Sequence, residues 1–469
     1  MTNVHSSKAA EHGQRDNTLT RRDILKRGSA VAAVSLVAPL LTTGEALAAP
    51  PASRPRGSAT ITEWGFGTDN VLAKSRVDAF SKAYPNIKLN IVPQVNDQKI
   101  LTAVASGSVP DLLWLDRATI AQWAARGALE PLDDLIGKST IKMGDFYKSA
   151  VDQVTYKGHM WAVPQFMDVR PLWIDLDPLK SAGVSLADVQ SSDWSKLRTA
   201  GIKLTKKQGN KVVRWGFDTK AADGFFWMWA WGNGGDLLSS DGKHASFDDA
   251  KNVAALQYVV DAAKAQGGFA AHKAFADTWG WNAQHPFIVN QTPVTPYENW
   301  LLGMIAQFAP KHNFMVVPFR GMNGKPVSLS SGSAWAIPKG AGNRDAAFTF
   351  IQFMSEPSTW KVGAQADKKV NGAQGAPFIP YLTGSKAIDA MLMKDEYVPL
   401  SSKFDAAVKL FPALLEQSRN IPPSPVAAQL NDILTNEAIL PALLGQKSPA
   451  AALKAAQSQA QQAISSFHG

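Results

Sequence analysis

Cysteine is absent from the 469-residue chain, which excludes disulfides and thiolate chemistry. The absence also removes the lipidated cysteine by which many exported bacterial proteins are tethered to a membrane. The motifs HExxH, GxSxG and GxxxxGK[ST] do not occur, and the eight histidines are scattered without metal-ligand spacing. We therefore expect no lipid anchor, no metal and no cofactor.

Long hydrophobic runs and dense basic blocks are also missing. An apolar stretch at about residues 30–41 is shorter than the roughly 20 apolar residues that a membrane span needs. The net charge of +9 is spread along the chain, and KLTKKQGNKVVR at 203–214 predicts an exposed hairpin. We expect no nucleic-acid partner. The basic surplus by itself favours an anionic ligand, as a weak bias.

The first 48 residues predict an export signal. TRRDILK, residues 20–26, resembles the twin-arginine signal, and an apolar stretch and the small residues of Ala46-Leu47-Ala48 follow it. We expect cleavage after Ala48, a flexible proline-rich lead over 49–57 and a mature chain that is free in the periplasm. A membrane anchor is the alternative, and the short apolar stretch argues against it.

Strand-like and helix-like segments alternate after this leader. The patterns predict strands at 58–64, 87–95 and 110–116 and helices at 71–84, 98–107 and 119–126. This order predicts an α/β fold with an open parallel sheet and helices on both faces. About 410 residues are too many for one core, so we expect two lobes. Ligands of such sheets bind beyond the carboxyl ends of the strands.

Tryptophan is abundant, with 15 residues that all lie between Trp64 and Trp360. Aromatic faces stack on the apolar faces of sugar rings, and carboxylates, amides and guanidinium groups bind the ring hydroxyls. Core packing explains any single tryptophan equally well. Those at predicted strand ends, loops or a helix end are the better ligand candidates: Trp64, Trp231, Trp279, Trp281 and Trp300.

Polar candidates lie at the predicted strand ends and at a crossover between lobes. Asp116 ends the third strand, although capping of the next helix explains it nearly as well. Asp168 and Arg170 lie at the crossover, and Glu298 precedes Trp300 by two residues. Carboxylates accept hydrogen bonds from sugar hydroxyls and a guanidinium donates in a fixed fork, so these residues predict a hydroxyl-rich ligand.

Five segments together resemble the extracellular sugar-binding proteins of ABC importers, the family that includes maltose-binding protein. They are PDLLWLD with GALEPLDDLI, VPQFMDVRPLWIDLDPLKSAGV, NGGDLLSSDGKHASFDDAKNVAALQY, FIVNQTPVTPYENW and SLSSGSAWAIPKGAGNRDAAFTFIQFMSEPSTW. Two departures are Ser331-Gly332, where the family often has two glycines, and Trp173-Ile174, where Tyr-Asn is common.

The resemblance implies a two-lobed type II periplasmic-binding-protein fold, with a mostly parallel sheet in each lobe and the ligand between the lobes. It implies a monomer that captures a sugar or oligosaccharide by lobe closure and delivers it to the membrane permease subunits of an ABC transporter. The alternative is a secreted carbohydrate-active enzyme, either a glycoside hydrolase or a polysaccharide lyase.

The predicted first lobe comprises 58–164 and 319–367, and the second comprises 165–318 and 376–469 with the C-terminal helices. The complete set of predicted ligand-binding residues is Trp64, Asp69, Asp116, Gln165, Asp168, Arg170, Trp231, Asn233, Trp279, Trp281, Glu298, Trp300, Ser331, Gly332 and Ser333.

Overall fold

The computed structural model describes residues 57–467, so the predicted signal, its cleavage site and nearly all of the predicted lead lie outside the described residues. Twelve strands are present in this part of the chain: β1 Ala59–Gly65, β2 Ile87–Pro93, β3 Leu112–Asp116, β4 Thr155–Tyr156, β5 His159–Met160, β6 Val163–Pro164, β7 Leu172–Asp175, β8 Lys206–Gln208, β9 Lys211–Arg214, β10 Val294–Pro296, β11 Phe314–Val317 and β12 Ser333–Ala336.

Helices surround these strands. The α-helices are Val71–Ala83, Asp97–Ser106, Ile120–Ala125, Asp133–Gly137, Lys148–Val154, Leu176–Ser181, Leu186–Val189, Trp194–Leu204, Phe226–Gly232, Ala250–Gln266, Phe269–Ala276, Leu301–Phe308, Arg344–Met354, Pro357–Val370, Lys386–Met391, Ser402–Gln417, Ala427–Ile433, Leu440–Leu443 and Pro449–Ser465. Short 3-10 turns occupy Arg117–Thr119, Met143–Asp145, Ala221–Asp223, Asn282–Gln284 and Gly372–Gln374, and π-turns occupy Leu392–Glu396 and Leu434–Ile439. Among the described helices, none is long and apolar enough to cross a bilayer.

Local sequence signals explain where the first helices begin and end. The Asn70 side chain accepts a hydrogen bond from the backbone N–H of Ala73 at 2.8 Å, and Asn96 caps the second helix in the same way. Gly107 ends that helix with a left-handed φ of 71°. The observed strands and helices between 58 and 126 begin and end within a few residues of the predicted ones, so these predictions are confirmed.

The first sheet has five strands in the order β2–β1–β3–β12–β6. β1 pairs in parallel with β2 and β3, whereas β12 is antiparallel to β3 and to β6. The register places Ser333 opposite Asp116, so the start of β12 lies beside the carboxyl end of β3. This edge is where the sequence predicts a ligand.

The second sheet has three strands in the order β10–β7–β11, and both pairings are antiparallel. The expectation of a mostly parallel sheet in each lobe is therefore wrong for this sheet. β7 begins just after the crossover at Arg170, and β10 and β11 run in the opposite direction on either side of it. Hydrophobic periodicity identifies a strand but carries no information about its direction.

Two chain segments that cross between the sheets pair with each other, and a third segment, residues 418–420, pairs with one of them. The backbone N–H of Asp168 donates to the carbonyl of Ser331 at 3.0 Å. Ser330 and Ser328 form backbone hydrogen bonds with Arg419 at 2.8 and 2.9 Å. The result is a three-stranded ribbon, made of residues 166–170, 328–333 and 418–420, that joins the two sheets.

The helices after β12 pack on both sheets. Phe378, Ile388 and Leu392 form a buried cluster with Leu72 and Trp360, which belong to helices beside the first sheet. The later helix Ser402–Gln417 packs instead against β11 of the second sheet.

Candidate functional site

An ion pair between Asp168 and Arg170 lies on the ribbon that joins the sheets. Arg170 Nη1 is 2.5 Å from Asp168 Oδ1 and also donates to the carbonyl of Leu329 at 3.0 Å. Arg170 Nη2 donates to Ser331 Oγ at 2.9 Å, and Ser331 Oγ lies 2.9 Å from Asp168 Oδ1. The predicted residues Asp168, Arg170 and Ser331 therefore form one hydrogen-bonded unit, which is about nine-tenths buried at the two charged side chains.

Glu298 reaches this unit because its own segment runs along the ribbon. The Val169 backbone N–H donates to Asn299 Oδ1 at 3.0 Å, and the Asn299 N–H donates to the Val169 carbonyl at 2.9 Å. Glu298 Oε1 consequently lies 3.6 Å from Arg170 Nη2. Burial raises the pKa of Glu298, while Arg170 lowers it and Asp168 raises it.

Asp116 and Gly332 meet at the carboxyl end of β3. Asp116 Oδ1 accepts a hydrogen bond from the Ala118 N–H at 2.9 Å, so the capping explanation of this residue is confirmed. The side chain nevertheless remains exposed at the strand end. Desolvation by the surrounding protein raises the pKa of Asp116, and the Ala118 hydrogen bond and the charge of Arg117 lower it by a smaller amount. Asp116 therefore caps a turn and faces solvent at the same time.

Arg117 lies beneath this strand end. Its guanidinium is fully buried and donates to the carbonyl of Phe166, and Nε donates to Gln153 Oε1 at 3.2 Å. Gly332 adopts a φ of +135° directly above it, and its carbonyl accepts the Arg117 backbone N–H at 2.9 Å. Ser333 follows, and its N–H donates to the Phe166 carbonyl at 3.1 Å.

Three other predicted residues lie around β1 and β6. Gln165 is buried, and its Oε1 accepts the indole N–H of Trp114 at 2.9 Å, so its side chain supports the sheet. Trp64 is half-buried at the end of β1, with Lys99 Nζ 4.4 Å from its ring centroid. Asp69 is exposed in the loop that follows β1.

Aromatic rings gather beside Glu298. Trp300 lies 5.5 Å from Trp281 and 5.3 Å from Tyr297 between ring centroids. All three side chains are half-buried. The sequence therefore identified two members of this aromatic platform, which we define as Trp281, Tyr297 and Trp300, and missed Tyr297, although it stands between Pro296 and Glu298.

Lys220 supports the platform from below. Its Nζ lies 5.4 Å from the ring centroids of both Tyr297 and Trp279, which brings the predicted Trp279 to the edge of the platform. The ammonium also pairs with Asp223 at 2.9 Å and with Asp218 at 3.5 Å. Burial alone would lower the pKa of Lys220, but the two carboxylates outweigh burial and raise it. Sequence reasoning missed Lys220 because nothing in its local pattern shows which loop it meets.

Trp231 and Asn233 make contacts of a different kind. The helix Phe226–Gly232 confirms the predicted helix, but Trp231 is buried and covered by the Arg419 guanidinium, 4.6 Å above its ring. The Asn233 amide donates to the carbonyl of Lys251 at 2.7 Å and thus joins two helices. Phe225, at the start of the same helix, instead lies 5.0 Å below the Arg170 guanidinium.

A cavity of about 820 Å³ is found elsewhere, between helix Lys148–Val154 and the 415–423 segment. Tyr147 and Leu415, which line it, pack with Met167 and Val169 on the opposite face of the ribbon from Asp168 and Arg170. Within the described part of the chain, none of the predicted ligand-binding residues lines this cavity. The convergence of charged and aromatic side chains, rather than cavity volume, therefore identifies the candidate site.

A family model described as bacterial extracellular solute-binding protein matches residues 68–359. A putative binding protein of Brucella abortus is 23% identical over 417 residues, which cover 86% of this chain and 91% of that protein. The lactose-binding protein of Rhizobium radiobacter is 25% identical over 165 residues, which cover 34% of this chain and 38% of that protein.

Solved structures share the fold at low identity. A solute-binding protein of an ABC transporter from Thermotoga lettingae, bound to α-D-tagatose, has a TM-score of 0.70 at 20% identity and covers 87% of this chain and all of that one. A mannotriose-bound protein has a TM-score of 0.69 at 23% identity over 86% of this chain and all of its own. The similarity confirms the predicted two-lobed type II fold.

Proposed function

Since the chain belongs to the bacterial extracellular solute-binding proteins, we propose that it captures a sugar or oligosaccharide between its lobes for an ABC importer. The observation that carries this proposal is the aromatic platform beside the Asp168–Arg170–Glu298 group. Stacking on an aromatic ring requires an apolar ligand face, and the carboxylates require hydrogen-bond donors. A sugar ring has both.

The remaining details of the proposal concern movement and location. The ribbon of residues 166–170, 328–333 and 418–420 acts as the hinge, and closure brings Asp116 toward the platform. The lobes follow the predicted boundaries with two exceptions. Residues 378–392 move with the first lobe because they pack on Leu72 and Trp360, and residues 319–327 move with the second lobe because Phe319 packs with Trp194 and Trp229. The precursor is exported by the twin-arginine pathway, and the periplasmic monomer delivers its ligand to the permease subunits.

A thermal-shift screen with lactose, maltose, mannobiose, mannitol and D-tagatose tests the function. We expect at least one of these to raise the melting temperature, because a ligand at 100 times its dissociation constant stabilises the native state by about 2.7 kcal/mol. Chromatography of the same samples should recover the sugar intact. Hydrolysis or elimination products would support the alternative of a carbohydrate-active enzyme, and the absence of any shift would contradict the proposal.

The replacement Trp300→Ala should weaken sugar binding by about 2 kcal/mol or more, because it removes a stacking surface from the platform. The melting temperature should change little, since Trp300 is only half-buried. The matched control is Trp360→Ala, which truncates a buried tryptophan beneath Arg76 and should cost about 3–5 kcal/mol of stability without changing affinity. Calorimetric titration and denaturant unfolding of both variants separate the two effects. Unchanged affinity in Trp300→Ala would place the site elsewhere.

A further inference from the structure

The charged groups at the candidate site are net acidic, although the chain as a whole is basic. Five carboxylates meet three cations there: Asp116, Asp168, Asp218, Asp223 and Glu298 against Arg117, Arg170 and Lys220. Full ionisation of these groups gives a local charge of two negative units, within a chain whose net charge is +9. Total charge is therefore a poor guide to the field that a ligand meets at this site.

The three cations already have protein partners. Arg117 is buried against the Phe166 carbonyl, and Arg170 donates to Asp168, Leu329 and Ser331. Lys220 is held between two carboxylates and two aromatic rings. Arg117 Nη2 and Arg170 Nε have no hydrogen-bond partner, but both atoms are buried, so an anionic ligand would have to displace existing contacts to reach them.

Asp116 and Glu298, unlike the three cations, keep hydrogen-bonding capacity that a ligand can use. One oxygen of Asp116 accepts the Ala118 N–H, and the side chain is exposed. The contact between Glu298 and Arg170 is 3.6 Å long, which is longer than a hydrogen bond, and 18% of the Glu298 side chain is exposed. Both carboxylates can therefore accept hydrogen bonds from a ligand.

We propose that Asp116 and Glu298 select the ligand by charge, so that the site takes neutral or amino sugars and rejects acidic sugars. This inference rests on the proposed sugar-binding function. Hydroxyl and ammonium groups donate to the two carboxylates, whereas a uronate or phosphate group would meet them with like charge. The weak bias toward an anionic ligand that the total charge suggests is thereby reversed at the site.

The test compares sugars that differ in one group. Lactose, maltose and mannobiose are each titrated beside a uronate form, with one primary hydroxyl oxidised to a carboxylate, and an amino form, with one hydroxyl replaced by an amine. Calorimetry at pH 7 and low salt should show that the best-bound neutral sugar binds at least about tenfold more tightly than its uronate form. Its amino form should bind within about fivefold of it.

Charge-neutralising variants assign the selectivity to its residues. Glu298→Gln and Asp116→Asn should each reduce the ratio of neutral to uronate affinity about three- to tenfold, because one repulsive charge is gone while the side-chain shape is kept. The control Asp78→Asn removes an exposed carboxylate on helix Val71–Ala83 and should leave this ratio unchanged. The ratio of neutral to uronate affinity remains informative even when a variant weakens the binding of all sugars equally.

The outcomes distinguish this inference from the proposed function. A neutral sugar that binds no better than its uronate form overturns the charge selection alone, as does a ratio that neither variant changes. A series in which no sugar binds contradicts the proposed function and the selection together. A reduced ratio in the two site variants but not in Asp78→Asn supports both.

Discussion

Replacement of Arg170 by methionine is expected to abolish sugar binding and to lower the free energy of unfolding by about 3–5 kcal/mol. The loss leaves Asp168 buried with its charge uncompensated and leaves the Leu329 carbonyl without its guanidinium donor. It also removes the Arg170 guanidinium that lies 3.6 Å from Glu298. Denaturant unfolding and calorimetric titration measure the two losses separately.

Two further variants identify the cause of the expected instability. In the double variant Asp168→Asn/Arg170→Met the buried charge is gone, so much of the stability should return while binding stays lost. The control Arg344→Met breaks the exposed pair with Asp134 at 2.7 Å, and it should cost no more than about 1 kcal/mol. A single Arg170→Met variant as stable as this control would contradict the structural role assigned to the pair.

Local features of the sequence predicted the helices and strands well. Asn70 and Asn96 start helices by capping them, and Gly107 ends one because it tolerates a left-handed backbone, so these boundaries depend on neighbouring residues only. The direction of the strands in the second sheet could not be predicted this way. The direction of each of these strands depends on where the chain returns to the sheet after the long segments that separate β7, β10 and β11 in the sequence.

The candidate site was predictable where a residue stands at the end of a strand or at the crossover. Asp116, Asp168 and Arg170 are of this kind, and the structure places Asp168 and Arg170 on the ribbon and Asp116 opposite Ser333 at the end of the ribbon. Asn233 also lies at the end of an element, but its amide is used to join two helices. Lys220 could not be found at all, because its place under Tyr297 results from the meeting of two loops that are far apart in the sequence.

The replacement Gly332→Ala is expected to lower the free energy of unfolding by about 3–5 kcal/mol, through overpacking and backbone strain together. A Cβ atom at this position would lie 2.0 Å from the Phe166 carbonyl oxygen and 2.6 Å from Arg117 Nη1. The φ of +135° is also one that an alanine rarely adopts. Neither neighbour can move freely, because the Phe166 carbonyl already accepts hydrogen bonds from Ser333 and Arg117.

The matched control for this variant is Gly127→Ala. Gly127 has a φ of +67°, but a Cβ atom there would meet nothing within 4 Å, so only backbone strain of about 1 kcal/mol is expected. Denaturant unfolding of the two variants therefore compares the combined cost of steric overlap and a φ of +135° at Gly332 with the cost of an ordinary left-handed φ at Gly127. Where the Gly332→Ala protein remains folded, its sugar affinity should also fall, because the β3–β12 register that sets Ser333 beside Asp116 must shift to admit the methyl group. Equal stability losses in the two variants would mean that the close approach of Gly332 to Phe166 does not constrain the ribbon.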